Sequence, residues 1–504
     1  MMISPATNRR GSGRDWPLAL EFRVCSQVAS RIPRPSISPE ASTVAFSRRI
    51  PLIVAAAFFM EALDGTIVVT ALPAMAQSLG ETTLTLTASI TVYLVAMTAL
   101  VPAAGWASSR FGARTLFATA IATFTVASLL CGISPNFWTL IFARALQGAA
   151  AAFMSPVGRL IVLRETPKAR IIDAIGLIVW PALIAPVIGP PLGGLITMYA
   201  SWHWIFLINV PLGVIGVWLV LRFIPRHAPR PDARFDAVGF ALTAGALAAL
   251  IHGLSQVAHG GTGQAVGGAF VAAGLVCGWL AVRHARRHPA PVLDLEAVQL
   301  PTFALSTVTA GLAARVAISM TPFLLPLMFQ IGFGMSPFEA GVMVLVYMAG
   351  NLSMKSVTTP ILRRFGFRDV IRVNGALCAA SLLGCALLSP TVPMAIVYAL
   401  LFAAGMTRSM NFTSMSTLAF ADVPDRLRPG ATTLAALSQQ AAGALGVAVA
   451  TLALGLSQAA RSGGQLALAD FRNALIVSAV LMAVAILWAS RLRPDAGAEL
   501  SGRA

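Results

Sequence analysis

Charged residues are scarce in this chain: 11% of its 504 residues, against 57% hydrophobic. Soluble domains carry roughly 25% charged residues, so there is too little polar side chain to cover a water-facing surface. Soluble-enzyme readings are demoted first, and the bilayer becomes the solvent to consider. Lysine is nearly missing too. Only Lys168 and Lys355 occur, so the formal net charge of +17 is arginine charge. The arginines form no single stripe of the kind that binds nucleic acid. The five cysteines (Cys25, Cys131, Cys277, Cys378 and Cys385) make no CxxC and have no histidine partners in the sequence, which indicates neither a disulfide framework nor a zinc site. His203, His252 and His259 lack metal-ligand spacing, and no metal site is expected. There is no GxxxxGK[ST] to support ATP-driven pumping, and no GxSxG or HExxH to support hydrolysis. The chain is therefore not expected to be an enzyme.

What is present is a succession of apolar runs. A helix crossing hydrocarbon needs about 20 mostly apolar residues. By that measure the chain has fourteen spans, at 50–75, 84–107, 115–134, 138–163, 170–197, 203–224, 237–257, 265–283, 302–331, 337–361, 369–390, 392–420, 430–458 and 471–491. The expected fold class is an all-α membrane protein. Residues 1–49 hold eight arginines and no apolar stretch long enough for a signal peptide. They read as a disordered cytoplasmic tail, although an over-long gene start would look the same.

Orientation can be tested independently of the count. With the N-terminus in the cytoplasm, the inside loops carry Arg110 and Arg114; Arg159, Arg164, Lys168 and Arg170; Arg222, Arg226, Arg230 and Arg234; Arg283, Arg286 and Arg287; Arg363, Arg364 and Arg368; and Arg426 and Arg428. The outside loops carry none until Arg461 and Arg472. Positive charge marks cytoplasmic loops, and one span more or less would invert every later loop. Both termini are expected in the cytoplasm of a cell whose inner membrane holds the protein.

The chain also repeats itself. Arg110-Phe111-Gly112-Ala113-Arg114 follows the second span, and Arg364-Phe365-Gly366-Phe367-Arg368 follows the tenth, 254 positions later. Two six-helix halves, 50–224 and 302–491, then flank a linker at 225–301 with two extra spans, and 492–504 form a cytoplasmic tail. Repeated six-helix halves are a recurrent plan for secondary transporters, with the substrate site between them near mid-membrane.

Several segments carry a family resemblance. They are Leu63-Asp64-Gly65-Thr66 leading to Ala71-Leu72-Pro73; Gly105 through Arg114; Arg144-Ala145-Leu146-Gln147-Gly148; Gly189-Pro190-Pro191-Leu192-Gly193-Gly194; and Trp202-His203-Trp204-Ile205-Phe206-Leu207-Ile208-Asn209-Val210-Pro211-Leu212-Gly213. In order and spacing they resemble the fourteen-helix drug:proton antiporters of the major facilitator superfamily, the EmrB/QacA type. The resemblance covers about 50–490. It implies the major facilitator fold and proton-coupled export of hydrophobic compounds across the inner membrane. It also implies gating roles for Gly105, Arg110, Gly112 and Arg114; for Gly189, Pro190, Gly193 and Gly194 gating and close helix packing are alternatives that overlap. Ser109 stands where the family usually has an aspartate of the gating charge network, a departure that puts the usual gating bond in doubt.

Physical chemistry points to some of the same residues. Asp64 lies about 21 Å along span one at 1.5 Å per residue, and Glu61 is one turn below it. A carboxylate at that depth is costly, and removal from water favours the neutral acid. Exchange of a proton near neutral pH then becomes possible, with a structural hydrogen-bonded acid as the alternative. Arg144 in span four either sets the protonation of these acids or snorkels to the outer headgroups. Arg315 and Arg408 near the middle of spans nine and twelve are candidates for the substrate cavity, with Gln147 and Gln330. Phe323, Met328, Phe329, Met343 and Met348 could line an adaptable apolar pocket or simply pack. Expected partners are a small-molecule substrate, protons and the lipid bilayer, with a monomer as the working unit and a periplasmic adaptor as an option; nucleic acid is not among them. No cofactor is expected, the proton gradient being the drive. A carrier of the same fold for one physiological metabolite, or a membrane sensor without transport, are the alternatives.

Overall fold

The computed structural model describes residues 48–167, 170–228, 235–258, 262–461, 464–493 and 496–497. The tail expected at 1–49 lies outside these up to residue 47, as do Lys168, Arg230, Arg234, His259 and most of the expected C-terminal tail.

Fourteen helices are long and apolar enough to cross a membrane. The first six are α1 (Arg49–Leu79), α2 (Thr83–Phe111), α3 (Ala113–Gly132), α4 (Phe137–Glu165), α5 (Asp173–Tyr199) and α6 (Trp204–Phe223). An inserted hairpin follows, α7 (Ala237–Val257) and α8 (Gly263–Ala285). The last six are α9 (Pro301–Gly332), α10 (Pro337–Phe365), α11 (Phe367–Ala386), α12 (Met394–Leu418), α13 (Asp425–Ala460) and α14 (Leu468–Ala489). Every span expected from hydropathy is a helix here, because in lipid each backbone N–H must find its carbonyl within its own segment.

The repeat is visible in backbone as well as sequence. Gly112 has φ +83° and Gly366 has φ +78°, both in the left-handed region that glycine tolerates without Cβ strain. Each glycine ends the second helix of its half and turns the chain sharply into the third. Elsewhere the helices start from local chemistry. Asn136 accepts from the Thr139 N–H at 3.0 Å to cap α4, and Ser336 with Glu339 forms a capping box at α10.

Burial sorts the helices by role. The most apolar stretch of α9 is 78% buried, whereas that of α8 is 11% buried, so α9 is central and α8 is peripheral. The hairpin's inner helix α7 rests against α2 from one half and α13 from the other. There Ile251 packs with Ala444 and Ala448. At the root of the hairpin Asp236 caps α7 by accepting from the Gly239 N–H at 2.8 Å. Burial pushes the Asp236 carboxyl up, but bonds from Gly239, His284 and Val292 outweigh it and hold the group below the usual carboxylate range.

The ends of the molecule differ in packing. We call the end holding the Gly112 and Gly366 turns the arginine-bearing end. At the opposite end, one apolar core joins both halves through Ile67, Leu72 and Met75 of α1, Leu324 and Phe329 of α9, and Val344 of α10.

Candidate functional site: a buried ion pair beside the central cavity

The site begins with a glycine. A Cβ on Gly148 would collide with the backbone carbonyl of Tyr93, so only glycine lets α4 close on α2 at this level. That approach places Arg144, one turn earlier on α4, deep in the first half. Its side chain is 1% exposed, and it faces the fully buried Asp64 of α1 with Nη1 2.7 Å from Oδ2.

The pair is embedded in polar contacts. Gln147 donates from Nε2 to Asp64 Oδ1 at 2.8 Å and to Ser128 Oγ at 2.7 Å. Its Oε1 accepts from Arg144 Nη1 at 2.6 Å. Asn209 Nδ2 donates to Asp64 Oδ1 at 3.3 Å, and Arg144 Nε donates to the Ser89 carbonyl at 3.2 Å. The guanidinium also lies 4.3 Å from the Tyr93 ring centroid, a cation–π contact. Helices α1, α2, α3, α4 and α6 all contribute. An ion pair taken out of water holds together only when its remaining lone pairs and N–H groups are also met, and here they largely are.

Glu61 is held far more loosely. It is 8% exposed, and one hydrogen bond to it is resolved, from Ser155 Oγ of α4 to Oε2 at 2.7 Å. Thus two carboxyls one turn apart have different settings: Asp64 is paired directly with a cation and two amides, whereas Glu61 is hydrogen-bonded by a hydroxyl and feels the Arg159 cation only at longer range.

Arg144 also reaches the space between the halves. A cavity of about 120 Å³ is lined by Thr66, Tyr93 and Arg144 from the first half and by Phe323, Met348 and Val447 from the second. Phe323 and Met348 therefore line a pocket as the sequence allowed, while Met328, Phe329 and Met343 belong to the apolar core.

The glycine–proline run of α5 has two working faces. A Cβ on Gly189 would strike Thr66, and one on Gly193 would come within 2.6 Å of the Ile67 carbonyl, so these two glycines seat α5 on α1. Gly194 lies against Pro337 and Phe338, and a Cβ on Gly341 would lie 2.5 Å from the Pro190 carbonyl. These contacts seat α5 on α10 of the other half. Gln330 adds a polar tie between halves, donating from Nε2 to the Thr70 carbonyl at 3.1 Å. All these contacts lie toward the end opposite the arginines, where the halves are closed on each other.

At the arginine-bearing end, the Ser109 hydroxyl donates to the Gly105 carbonyl of its own helix at 3.2 Å. Arg114 donates to the Leu221 carbonyl of α6, and Arg110 is exposed on the surface. These gating candidates stand together around the Gly112 turn.

The second-half cations sit elsewhere. Arg315 donates from Nη1 to the Ser306 carbonyl at 2.9 Å. That carbonyl lies in a π-helical stretch, Ala304–Val308, where the Thr309 N–H reaches back to Ala304 at 3.1 Å. Arg315 therefore braces a break in α9. Arg408 is half-buried and lies 6.0 Å from the Tyr347 ring. Gln147 is wholly buried in the ion-pair network. Sequence reasoning missed Asn209, Ser128, Ser89, Tyr93 and Ser155 as members of the site. Asn209 was within reach, as an amide inside an otherwise apolar span.

Two quasi-repeated six-helix bundles, a cavity between them and ionisable groups at mid-span define a polytopic carrier. The sequence profile of the Major Facilitator Superfamily matches residues 54–447, and the chain belongs to that family. It is 39% identical over 411 residues to the Escherichia coli protein named "Putative multidrug resistance protein MdtD", covering 80% of this chain and 85% of the relative in strain CFT073. The same identity and coverage hold for the relative of that name in Shigella flexneri. Among solved structures, an auto-inhibited POT family peptide transporter superposes with TM-score 0.61 at 15% identity, covering 89% of this chain and 98% of that one. A D-xylose-proton symporter superposes with TM-score 0.58 at 12% identity, covering 86% and 96%. At these identities the structural likenesses speak to fold alone. The chain is a multi-pass membrane transporter, from a family of carriers rather than enzymes.

Proposed function

We infer that this transporter exports hydrophobic small molecules, drugs among them, from the cytoplasm across the inner membrane in exchange for protons. The observation that carries this reading is the pair of mid-span carboxyls with unequal partners, one of them tied to a cavity-lining arginine. Glu61, with a neutral partner, is the group able to take a proton without leaving a buried cation unbalanced. Asp64, one turn away, governs Arg144. When a proton reaches Asp64, Arg144 loses its counter-charge and keeps only neutral acceptors and the Tyr93 ring. The cavity wall then changes charge, and a bound apolar molecule meets a different surface. Proton movement and cargo movement are coupled through that one side chain, with no cofactor in the cycle. The names of the relatives support multidrug cargo, and the apolar lining by Phe323, Met348 and Val447 suits it.

The arginine-bearing end is placed in the cytoplasm, and the closed end outside. The protein works as a monomer, and any adaptor would dock on the outer side. The test is transport in proteoliposomes with an internal pH dye and a hydrophobic fluorescent cation such as ethidium as cargo. The wild type is expected to move protons only when cargo is present, and Glu61→Gln to lose that coupling by at least about tenfold, in the range for removal of a general acid–base group. Cargo-linked proton flux that survives in Glu61→Gln would discard the assignment. Flux of a single polar metabolite in place of apolar cargo would favour the dedicated carrier.

A further inference from the structure

The root of the inserted hairpin brings three potential metal ligands together. Asp236 is the N-cap of α7, His284 stands in the last turn of α8, and His288 follows one turn later. One ligand atom from each of Asp236, His284 and His288 lies within 4.8 Å of the others. Along the chain only the His284–His288 spacing is visible, because Asp236 is 48 positions from His284. Only the antiparallel return of α8 on α7 puts the start of one helix beside the end of the other.

The geometry suits a metal rather than a chance meeting. His288 N–H donates to the His284 carbonyl at 2.9 Å, so the chain is still turning helically and the two imidazoles share one face. Their ring centroids are 5.1 Å apart. Histidines at i and i+4 on one helical face are a recurrent metal-chelating spacing. The Asp236 side chain is 3% exposed and that of His284 24%, so the ligands are ordered yet reachable by water.

We propose that Asp236, His284 and His288 form a binding site for a divalent transition metal of the zinc class, held by two imidazoles and one carboxylate with a fourth position open to water. Two nitrogens and one oxygen match the ligand set of such ions. His284 Nε2 now lies 2.8 Å from Asp236 Oδ1, and His288 Nδ1 accepts a long 3.3 Å contact from the Ala290 N–H. Metal binding exchanges both bonds for coordinate ones. With His284 as a neutral imidazole, its proton resides on Nδ1 once Nε2 binds the ion, and no net proton is lost.

The consequence is a clasp at a sensitive place. The neighbouring Phe235 ring stacks at 4.5 Å on Trp106, in the same segment as Gly105, Ser109 and Arg110. A bound ion would tie both hairpin helices together one residue from that stack. Arg283, Arg286 and Arg287 flank the site and oppose a cation electrostatically, so affinity must come from the coordinate bonds.

The test uses full-length, tag-free protein in lipid nanodiscs, stripped by chelator and titrated with Co²⁺. Wild type is expected to bind one equivalent, to show the visible absorption of a four-coordinate cobalt site, and to release cobalt to Zn²⁺. His288→Ala is expected to weaken binding by at least about tenfold, in keeping with loss of one of three ligands. His288→Gln serves the same comparison if the alanine variant does not fold. Absence of the cobalt spectrum in wild type, or equal affinity in the folded variant, overturns the proposal. Because the readout is metal binding and not transport, it stands apart from the reading of the carrier's cargo.

Discussion

Asp64 and Glu61 are three positions apart and differ in their partners, a cation and two amides against one hydroxyl. That difference changes what each substitution should do. From sequence, Asp64→Asn is expected to abolish coupling while leaving the protein folded. The structure alters the second half of that expectation. Neutralising Asp64 leaves Arg144 buried at 1% exposure without its counter-charge, a loss that costs roughly 3–5 kcal/mol when one partner of a buried pair is removed. Asp64→Asn is therefore expected to lower the thermal unfolding midpoint in detergent markedly, and the double variant Asp64→Asn, Arg144→Gln to recover much of the loss. Equal midpoints for wild type and Asp64→Asn would show that the ion pair does not matter to stability. Glu61→Gln keeps an acceptor for Ser155 and should unfold close to wild type, so any transport defect it shows is chemical.

Helix pairs carry the next level. The contact of α5 with α10 depends on Gly194 and Gly341 because backbone meets backbone there. Such contacts exist only while the halves are closed at that end. A side chain placed in them is overpacked, at about 1–3 kcal/mol, and the carrier can escape the strain by opening. Gly341→Val is thus expected to raise labelling of a Thr70→Cys reporter by an impermeant maleimide at least about fivefold, the population change that ~1 kcal/mol produces. Thr70 is fully buried here, which makes it a sensitive reporter. Unchanged labelling would mean that α5 and α10 do not form the moving seam. The glycines themselves were legible in sequence, but which helix each one faced was not. Gly189 and Gly193 lie on one face and Gly194 on another, a distinction set by the 3.6-residue turn and the neighbours it meets. The break in α9 was not legible either. Ala304–Val308 contains no proline or glycine, and a π-helical turn forms there from tertiary packing. Mid-span position makes Arg315 a cavity candidate, and only packing shows that its guanidinium donates to the Ser306 carbonyl of that turn.

For the molecule as a whole, charge asymmetry is the governing quantity. Among the described residues the arginine-bearing connections, apart from the one at Arg461, fall at one end of a fourteen-helix body, and we infer from the positive-inside rule that this end faces the cytoplasm. In a cysteine-free background, Thr82→Cys should react with an impermeant maleimide on intact cells, whereas His227→Cys should react only after lysis. Both positions are exposed. The reverse pattern would invert the topology and, with it, the direction of export.

Hydropathy determined the fourteen spans, because lipid forces each span to be a self-contained helix; the repeated segments at Arg110 and Arg364 determined their likeness in two halves, and the motifs between Leu63 and Gly213 the family. Distances along a chain say nothing about which polar groups meet once helices pack. Tertiary structure alone decided that Asp64 is spoken for by Arg144, Gln147 and Asn209 while Glu61 is not. It also decided that Gln330 ties the halves together and that Asp236 meets His284 in the last turn of another helix and His288 just beyond it. A buried charge is defined by its partners, and those partners come from segments far apart in sequence.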